Sequence, residues 1–270
     1  MKKLNCIAAV GALLCVSGLA HAADADYHHV HIRASDTAGA AEWYAKYMGG
    51  RAMKLGTYDG VAMSSALLLI FPEDQPGVGG VPYPGELKGS EGSAVDHIGF
   101  SFEDLDAKMK EFESAGIEIL QEARDVQGKF KYGFVRDPWG TKIEVMQDPD
   151  LYGFHHVHVL SKDPQKAAIW YQEIFGGELT TYYDIPVLPS IRYGGMWLIV
   201  SQTDKDLAPT VTRSVDHLGW GFADLASELA RFKERGEKIP LDLFDFHGTN
   251  IAFIESPDGA LIELVETKAK

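Results

Sequence analysis

The chain repeats itself. Residues Phe154 to Thr267 can be laid on Tyr27 to Asp148 with three blocks in the same order and at nearly the same distances. YHHVHIRASDTAGAAEWYAKYMGG meets FHHVHVLSKDPQKAAIWYQEIFGG, VDHIGFSFEDLDAKMKEFESAGIEI meets VDHLGWGFADLASELARFKERGEKI, and FVRDPWGTKIEVMQ meets FIESPDGALIELVE. A period of this size makes each half one structural unit, and whatever one half folds into, the other must also fold into.

Each half is double again inside. A short strand, His28 to Ala34, precedes an amphipathic helix, Thr37 to Met48, which Gly49 and Gly50 end as a C-cap. Strand-like segments follow, the clearest being Ala66 to Phe71. The cycle then restarts. Val95 to Phe102 reads as a strand, and Leu105 to Ala115 as a helix with Leu105, Met109 and Phe112 on one face and Gly116 as its stop. Two strands, Phe130 to Arg136 and Lys142 to Met146, flank the turn Asp137-Pro138-Trp139-Gly140. The second half runs the same way, with its turn at Ser256-Pro257-Asp258-Gly259. The fold class is therefore α+β in tandem duplication, each half holding two βαβββ modules that form a half-barrel. The expected domains are 27–148, with modules 27–85 and 95–148, and 154–267, with modules 154–205 and 215–267. The stretch Pro72 to Ser93 is rich in Pro and Gly and longer than its counterpart, Thr203 to Ser214, as a lid, a binding loop or a plain surface excursion would be. The Asp148-Pro149-Asp150 linker is short, so the halves are expected to pack closely.

The first 22 residues stand outside this scheme. Lys2 and Lys3 precede an apolar run from Ile7 to Ala20, and Ala20-His21-Ala22 is an A-x-A cleavage signature. The run is shorter than the ~20 residues that span a bilayer. It reads as a secretory signal peptide cut after Ala22, giving a secreted or periplasmic protein with no membrane segment left. Both cysteines, Cys6 and Cys15, fall inside it, so the mature chain has no thiol chemistry, and any metal must be held by imidazole and carboxylate. Without Lys2 and Lys3 the balance is 23 basic against 39 acidic residues. Such a surface argues against nucleic acid, which needs basic patches, and against anionic membranes. It leaves a small-molecule substrate as the expected partner. Nothing in the sequence speaks to oligomeric state.

Three positions per half carry the chemistry. His29 lies on the first strand, His97 on the strand opening the second cycle, and Glu144 on the last strand; the steps are 68 and 47 residues. The second half places His156, His217 and Glu263 at steps of 61 and 46. Strands curving into an open barrel point alternate side chains inward. Two imidazoles and one carboxylate converging there form a 2-His-1-carboxylate triad that leaves metal positions open. Glu144, between Ile143 and Val145, and Glu263, between Ile262 and Leu264, would otherwise face solvent on the far side of an apolar strand.

These motifs (HHVHI and HHVHV, DHIGF and DHLGW, and the Asp/Ser-Pro-x-Gly turns running into Ile-Glu) resemble the vicinal oxygen chelate superfamily over the whole mature chain. That superfamily includes glyoxalases, extradiol ring-cleaving dioxygenases, and fosfomycin- and bleomycin-resistance proteins. The resemblance implies paired βαβββ modules cupped around one metal per pair, with His29, His97 and Glu144, and His156, His217 and Glu263, as ligands. The glyoxalases add a fourth, carboxylate ligand on the last strand of the first module, where this chain reads ALLLIF and MWLIVSQ. The extradiol enzymes add a histidine and a tyrosine before the Pro-x-Gly turn. His247 matches that histidine and Phe253 stands at the tyrosine position, while the first half has Tyr132 and no histidine.

The resulting expectation is a metal-dependent enzyme acting on a small oxygen-bearing molecule, with dioxygenase-like chemistry ahead of lyase or isomerase chemistry. A non-catalytic binding or resistance protein is the alternative from another class. Fe2+ is the favoured metal, and Mn2+, Zn2+, Ni2+ or Cu2+ suit the same donors. His31 and His158, two residues beyond the first ligand and on the same strand face, are candidate acid/base groups, with His247 and Tyr132 as further catalytic candidates. Arg136, Arg192 and Tyr193 are further pocket candidates. His28 and His155, one position out of phase, should point outward. Trp43, Trp170, Phe112 and Phe232 fall at helical spacing and are expected in the core.

Overall fold

The computed structural model describes residues 25–126 and 128–268. The expected signal peptide and both cysteines lie outside them. Four βαβββ modules follow one another. The first is β1 (Asp26–Ala34), α1 (Thr37–Tyr47), β2 (Arg51–Leu55), β3 (Tyr58–Ala62) and β4 (Leu67–Pro72). The second is β5 (Val95–Ser101), α2 (Leu105–Ser114), β6 (Glu118–Val126), β7 (Phe130–Arg136) and β8 (Lys142–Gln147). The third is β9 (Gly153–Ser161), α3 (Pro164–Phe175), β10 (Glu178–Thr181), β11 (Pro189–Tyr193) and β12 (Met196–Gln202). The fourth is β13 (Val215–Phe222), α4 (Leu225–Arg235), β14 (Lys238–Phe246), β15 (Thr249–Glu255) and β16 (Leu261–Glu266).

The same local code starts every helix. Asp36, Asp104, Asp163 and Asp224 are N-caps whose carboxylates accept from the backbone N–H three residues on, satisfying a donor the helix itself leaves free. The apolar helix faces meet the sheets: Tyr44, Phe112, Tyr171 and Phe232 are buried in one continuous core with Phe100, Phe154 and Trp220. Trp170 belongs to this core and Trp43 packs against it, as their spacing implied.

The strands form two eight-stranded mixed sheets, ordered β14-β15-β16-β13-β1-β4-β3-β2 and β10-β11-β12-β9-β5-β8-β7-β6. Each sheet thus joins one module from each half, the first with the fourth and the second with the third. This corrects the expected pairing of modules within a half. The physical reason lies in the connections. Residues 148–152 are too few to leave the sheet, so β8 hands the chain to β9 within it. The connections 73–94 and 203–214 are long enough to cross between sheets. They run side by side there, through bridges Lys88–Arg213 and Ser93–Ala208.

Candidate metal centres

At the centre of each sheet the first strand of one module runs antiparallel to the first strand of its partner. In β1–β13, His29 lies opposite Gly219 and His31 opposite His217; in β9–β5, His156 lies opposite Gly99 and His158 opposite His97. Glu263 pairs with Gly219 from the next strand, and Glu144 with Gly99. Two groups result: His29, His31, His217 and Glu263, and His97, Glu144, His156 and His158, each with its donor atoms within 4.8 Å of one another. All six sequence-predicted ligands are present, but in exchanged sets. His29 belongs with His217 and Glu263, not with His97 and Glu144, and His156 belongs with His97 and Glu144.

In the first group Glu263 Oε2 lies 3.1 Å from His217 Nε2 and 3.4 Å from His29 Nε2. In the second, Glu144 Oε2 lies 2.9 Å from His97 Nε2 and 3.4 Å from His156 Nε2. The glycines make this possible. A Cβ on Gly219 would stand 2.1 Å from His29 Cε1, and one on Gly99 would stand 2.1 Å from His156 Cε1, so each ring lies in the space a side chain would fill.

Each central pairing contains two β-bulges, whose extra residues are His28 and Asp216 in one sheet and Asp96 and His155 in the other. A bulge re-aims a side chain that alternation would send to the opposite face. All four bulge residues turn to the Nδ1 of a neighbouring candidate ligand. His97 Nδ1–H donates to Asp96 Oδ1 and His217 Nδ1–H to Asp216 Oδ1, each at 2.7 Å. His29 Nδ1 meets His28 Nδ1 and His156 Nδ1 meets His155 Nδ1, each at 2.8 Å, and His155 Nε2 reaches Asp148 Oδ2 at 3.1 Å. The expectation that His28 and His155 point outward is therefore corrected. His155 is fully buried and His28 partly so. With Nδ1 of His29, His97, His156 and His217 engaged, Nε2 is the nitrogen each of these four leaves for its centre. The signal for this layer was present in the sequence as Asp-His-x-Gly in both halves and as the paired histidines.

Burial and neighbouring charges together set the charge states. It pushes His156 down to about 4, and it holds His158 and His31 well below the usual histidine range, helped by the imidazoles beside them. Burial opposes charge on His217 too, but Asp216 and Glu263 outweigh it and raise the group to about 9. His97 rises in the same way between Asp96 and Glu144. Glu144 and Glu263 are held well below the carboxylate range: burial alone would raise them, and their histidine neighbours overcome it. The donor set passes an independent test for a divalent cation. His29 Nε2, His31 Nδ1, His156 Nε2 and His158 Nδ1 are buried without a hydrogen-bond partner. Buried polar atoms are almost always satisfied, and four orphans gathered in these two clusters are donors that could serve a divalent cation.

The cups above the two groups are apolar. Phe253 pairs with Glu263 across the β15–β16 ladder and Phe134 with Glu144 across β7–β8. The two phenyl rings stand 5.4 Å from His217 and 5.1 Å from His97. Phe71 closes on His31 at 4.1 Å. The long Pro72 to Ser93 stretch reaches the first cup, where Val78 packs with Ile251, Phe253 and Val265. The second cup has a cover the sequence did not announce: Tyr182, Tyr183 and Leu188, between β10 and β11, pack on Met146, Ile199, Tyr132 and Trp197.

The other candidates divide. Tyr132 lines the second cup beside Phe134, under the Arg124 guanidinium. His247 is outside both groups, exposed at the β14–β15 turn with its ring against Phe246. Arg136 is engaged by Glu91 and Glu118, Arg192 lies over Trp197, and Tyr193 donates to the Tyr171 carbonyl.

Duplicated βαβββ modules, sheets shared between modules and a His/Glu cluster in each sheet that could hold a metal define the class of fold. The family model for the Glyoxalase/Bleomycin resistance protein/Dioxygenase superfamily matches residues 26–145 and 153–264, and the chain belongs to that superfamily. It is 24% identical over 204 residues to a lactoylglutathione lyase of Schizosaccharomyces pombe, a match covering 64% of this chain and 66% of that protein. Its fold is similar to glyoxalase I from Zea mays, with a TM-score of 0.68, 17% identity, and coverage of 90% of this chain and 92% of that one. It is also similar to a putative dioxygenase from Bacillus subtilis, with a TM-score of 0.62, 16% identity, and coverage of 89% and 84%. Among the described residues no helix is long and apolar enough to cross a membrane.

Proposed function

We propose that this protein is an exported metal-dependent enzyme acting on a small oxygen-bearing molecule, with oxygenase chemistry at two centres per chain. His29, His217 and Glu263 would hold one ion, and His97, His156 and Glu144 the other. A bound divalent ion would draw neighbouring oxygens of the substrate to itself as a Lewis acid, or activate dioxygen if it is iron. The aromatic cups would exclude water and orient an apolar or aromatic body. Tyr132, on the wall of the second cup, would orient that body there.

The observation that carries oxygenase over lyase or isomerase chemistry is the lone carboxylate in each group. Glu144 and Glu263 each face two histidine nitrogens, so neither is free to shuttle a proton as a general base. The strand that would supply a second carboxylate places Leu69 beside His31 and Ile199 beside His158.

Elemental analysis of protein purified from its native compartment is expected to give two equivalents of metal per chain. An oxygen electrode with a panel of catechols is expected to register uptake that a chelator abolishes. Metal without oxygen uptake, together with turnover of a hemithioacetal, would move the assignment to lyase chemistry. No bound metal would overturn the enzyme. Amino-terminal sequencing of the exported form tests cleavage after Ala22.

A further inference from the structure

We infer that His31 and His158 are metal ligands, through Nδ1, so that each centre is built from three imidazoles and one carboxylate. This rests on the metal reading above and changes what the centre is. Between the two bulges the β1–β13 and β9–β5 ladders are regular, so His31 shares a face with His29, and His158 with His156. His31 stands directly opposite His217, with ring centroids 4.3 Å apart and the His29 ring at 4.9 Å. His158 stands opposite His97 at 4.4 Å, with the His156 ring at 5.9 Å.

The free nitrogens give the direction. A core histidine serving packing alone satisfies its polar atoms, yet Nδ1 of His31 and Nδ1 of His158 are both buried and unpartnered. The same atom is orphaned in both centres. In the second centre the remote nitrogen is anchored: His158 Nε2 lies 2.6 Å from Ser201 Oγ. With His158 Nε2–H donating to Ser201 Oγ, the near Nδ1 lone pair is the one left for an ion, as with the outer partners of ligating histidines. Leu69 and Ile199 on the neighbouring strands offer no competing donor. The fourth ligand therefore comes from the first strand itself. Three neutral imidazoles and one carboxylate leave a divalent ion with one net positive charge, so the centre would favour an anionic oxygen donor from its substrate.

The test uses the full mature chain with Co2+ alone, titrated against a competing chelator, and pulsed EPR of the Cu2+-loaded protein to count coordinated imidazoles. The parent protein is expected to bind two equivalents, with three imidazoles per copper. His31→Gln and His158→Gln, which keep side-chain length, should each weaken one equivalent at least tenfold. In the double variant the count should fall to two imidazoles per copper. Unchanged affinity and an unchanged count in both variants, while His97→Ala still abolishes one equivalent, would overturn the fourth ligand and leave the three-ligand centre standing. A parent protein that binds neither metal would overturn the centre as a whole. A variant with altered circular dichroism is replaced by His158→Asn with Ser201→Ala as its partner. For that pair the same tenfold loss supports the ligand, and affinity equal to the parent overturns it.

Discussion

At the residue scale the centres depend on two glycines that carry no chemistry. Gly99 and Gly219 sit two positions after His97 and His217, and the ring of the facing module's histidine occupies the place of their missing Cβ. Gly99→Ala is expected to push His156 off its position, weaken Co2+ binding at that centre at least tenfold, and destabilise the fold by ~1–3 kcal/mol, the usual cost of overpacking. Gly219→Ala should do the same to the group of His29, His217 and Glu263 and leave that of His97, His156 and Glu144 untouched. Chelator competition and urea unfolding check both, and an unaltered affinity in either variant would show that the ring can move without consequence. The clustered donors, His29, His97, Glu144 and their repeats, were legible as candidate ligands because metal chemistry restricts donor types and the repeat showed each of them twice. The glycines were legible only as a repeated letter, since nothing local says what passes over them.

At the element scale the β-bulge matters most. Period-two alternation placed His29 and His31 on one face, and it held between the bulges. It failed for His28, His155, Asp96 and Asp216 because each is the extra residue of a bulge. A sequence gives little sign of a bulge when the inserted residue is polar and the strand stays β-rich, so the repeated Asp-His-x-Gly and His-His pairs were visible while the inward turn of their first residues was not. Its two carboxylates differ in what they hold. Asp216 accepts from His217, from Arg33 Nε at 2.7 Å and from the Thr212 N–H at 2.7 Å, with both side chains of the Arg33 pair fully buried. Asp96 shares its Oδ1 between His97 and Lys142, whose side chain is 20% exposed. Removing one member of a buried ion pair costs ~3–5 kcal/mol because the other charge is left without water or partner. Asp216→Ala should therefore destabilise the protein by about that much, and Asp96→Ala by only ~1–3 kcal/mol, the cost of an orphaned hydrogen-bonding group. Denaturant midpoints at constant slope decide it, and equal losses would mean that Arg33 finds relief elsewhere, for instance in the Pro72, Glu73 and Gln75 carbonyls it already touches.

At the scale of the whole molecule, the four modules were legible and their partnership was not. Helix caps, turn residues and strand patterns are local, and they repeat faithfully from module to module. Which module completes which sheet is decided by connection length: the five residues 148–152 keep β8 and β9 in one sheet, while the two long connections cross together to the other. Metal counting can read this exchange directly. If β1 and β13 build one centre, His29→Ala and His217→Ala damage the same place. The double variant should then hold one equivalent of Co2+ per chain, as each single variant does. His29→Ala with His97→Ala damages two centres and should hold none. A pairing within each half would reverse the two results, because His29 and His97 would then share an ion while His29 and His217 would not. The exchanged pairing also couples the halves: each centre draws its candidate ligands from both sides of the repeat, so neither half alone contains a complete set, and separately expressed halves should bind metal only after they are mixed.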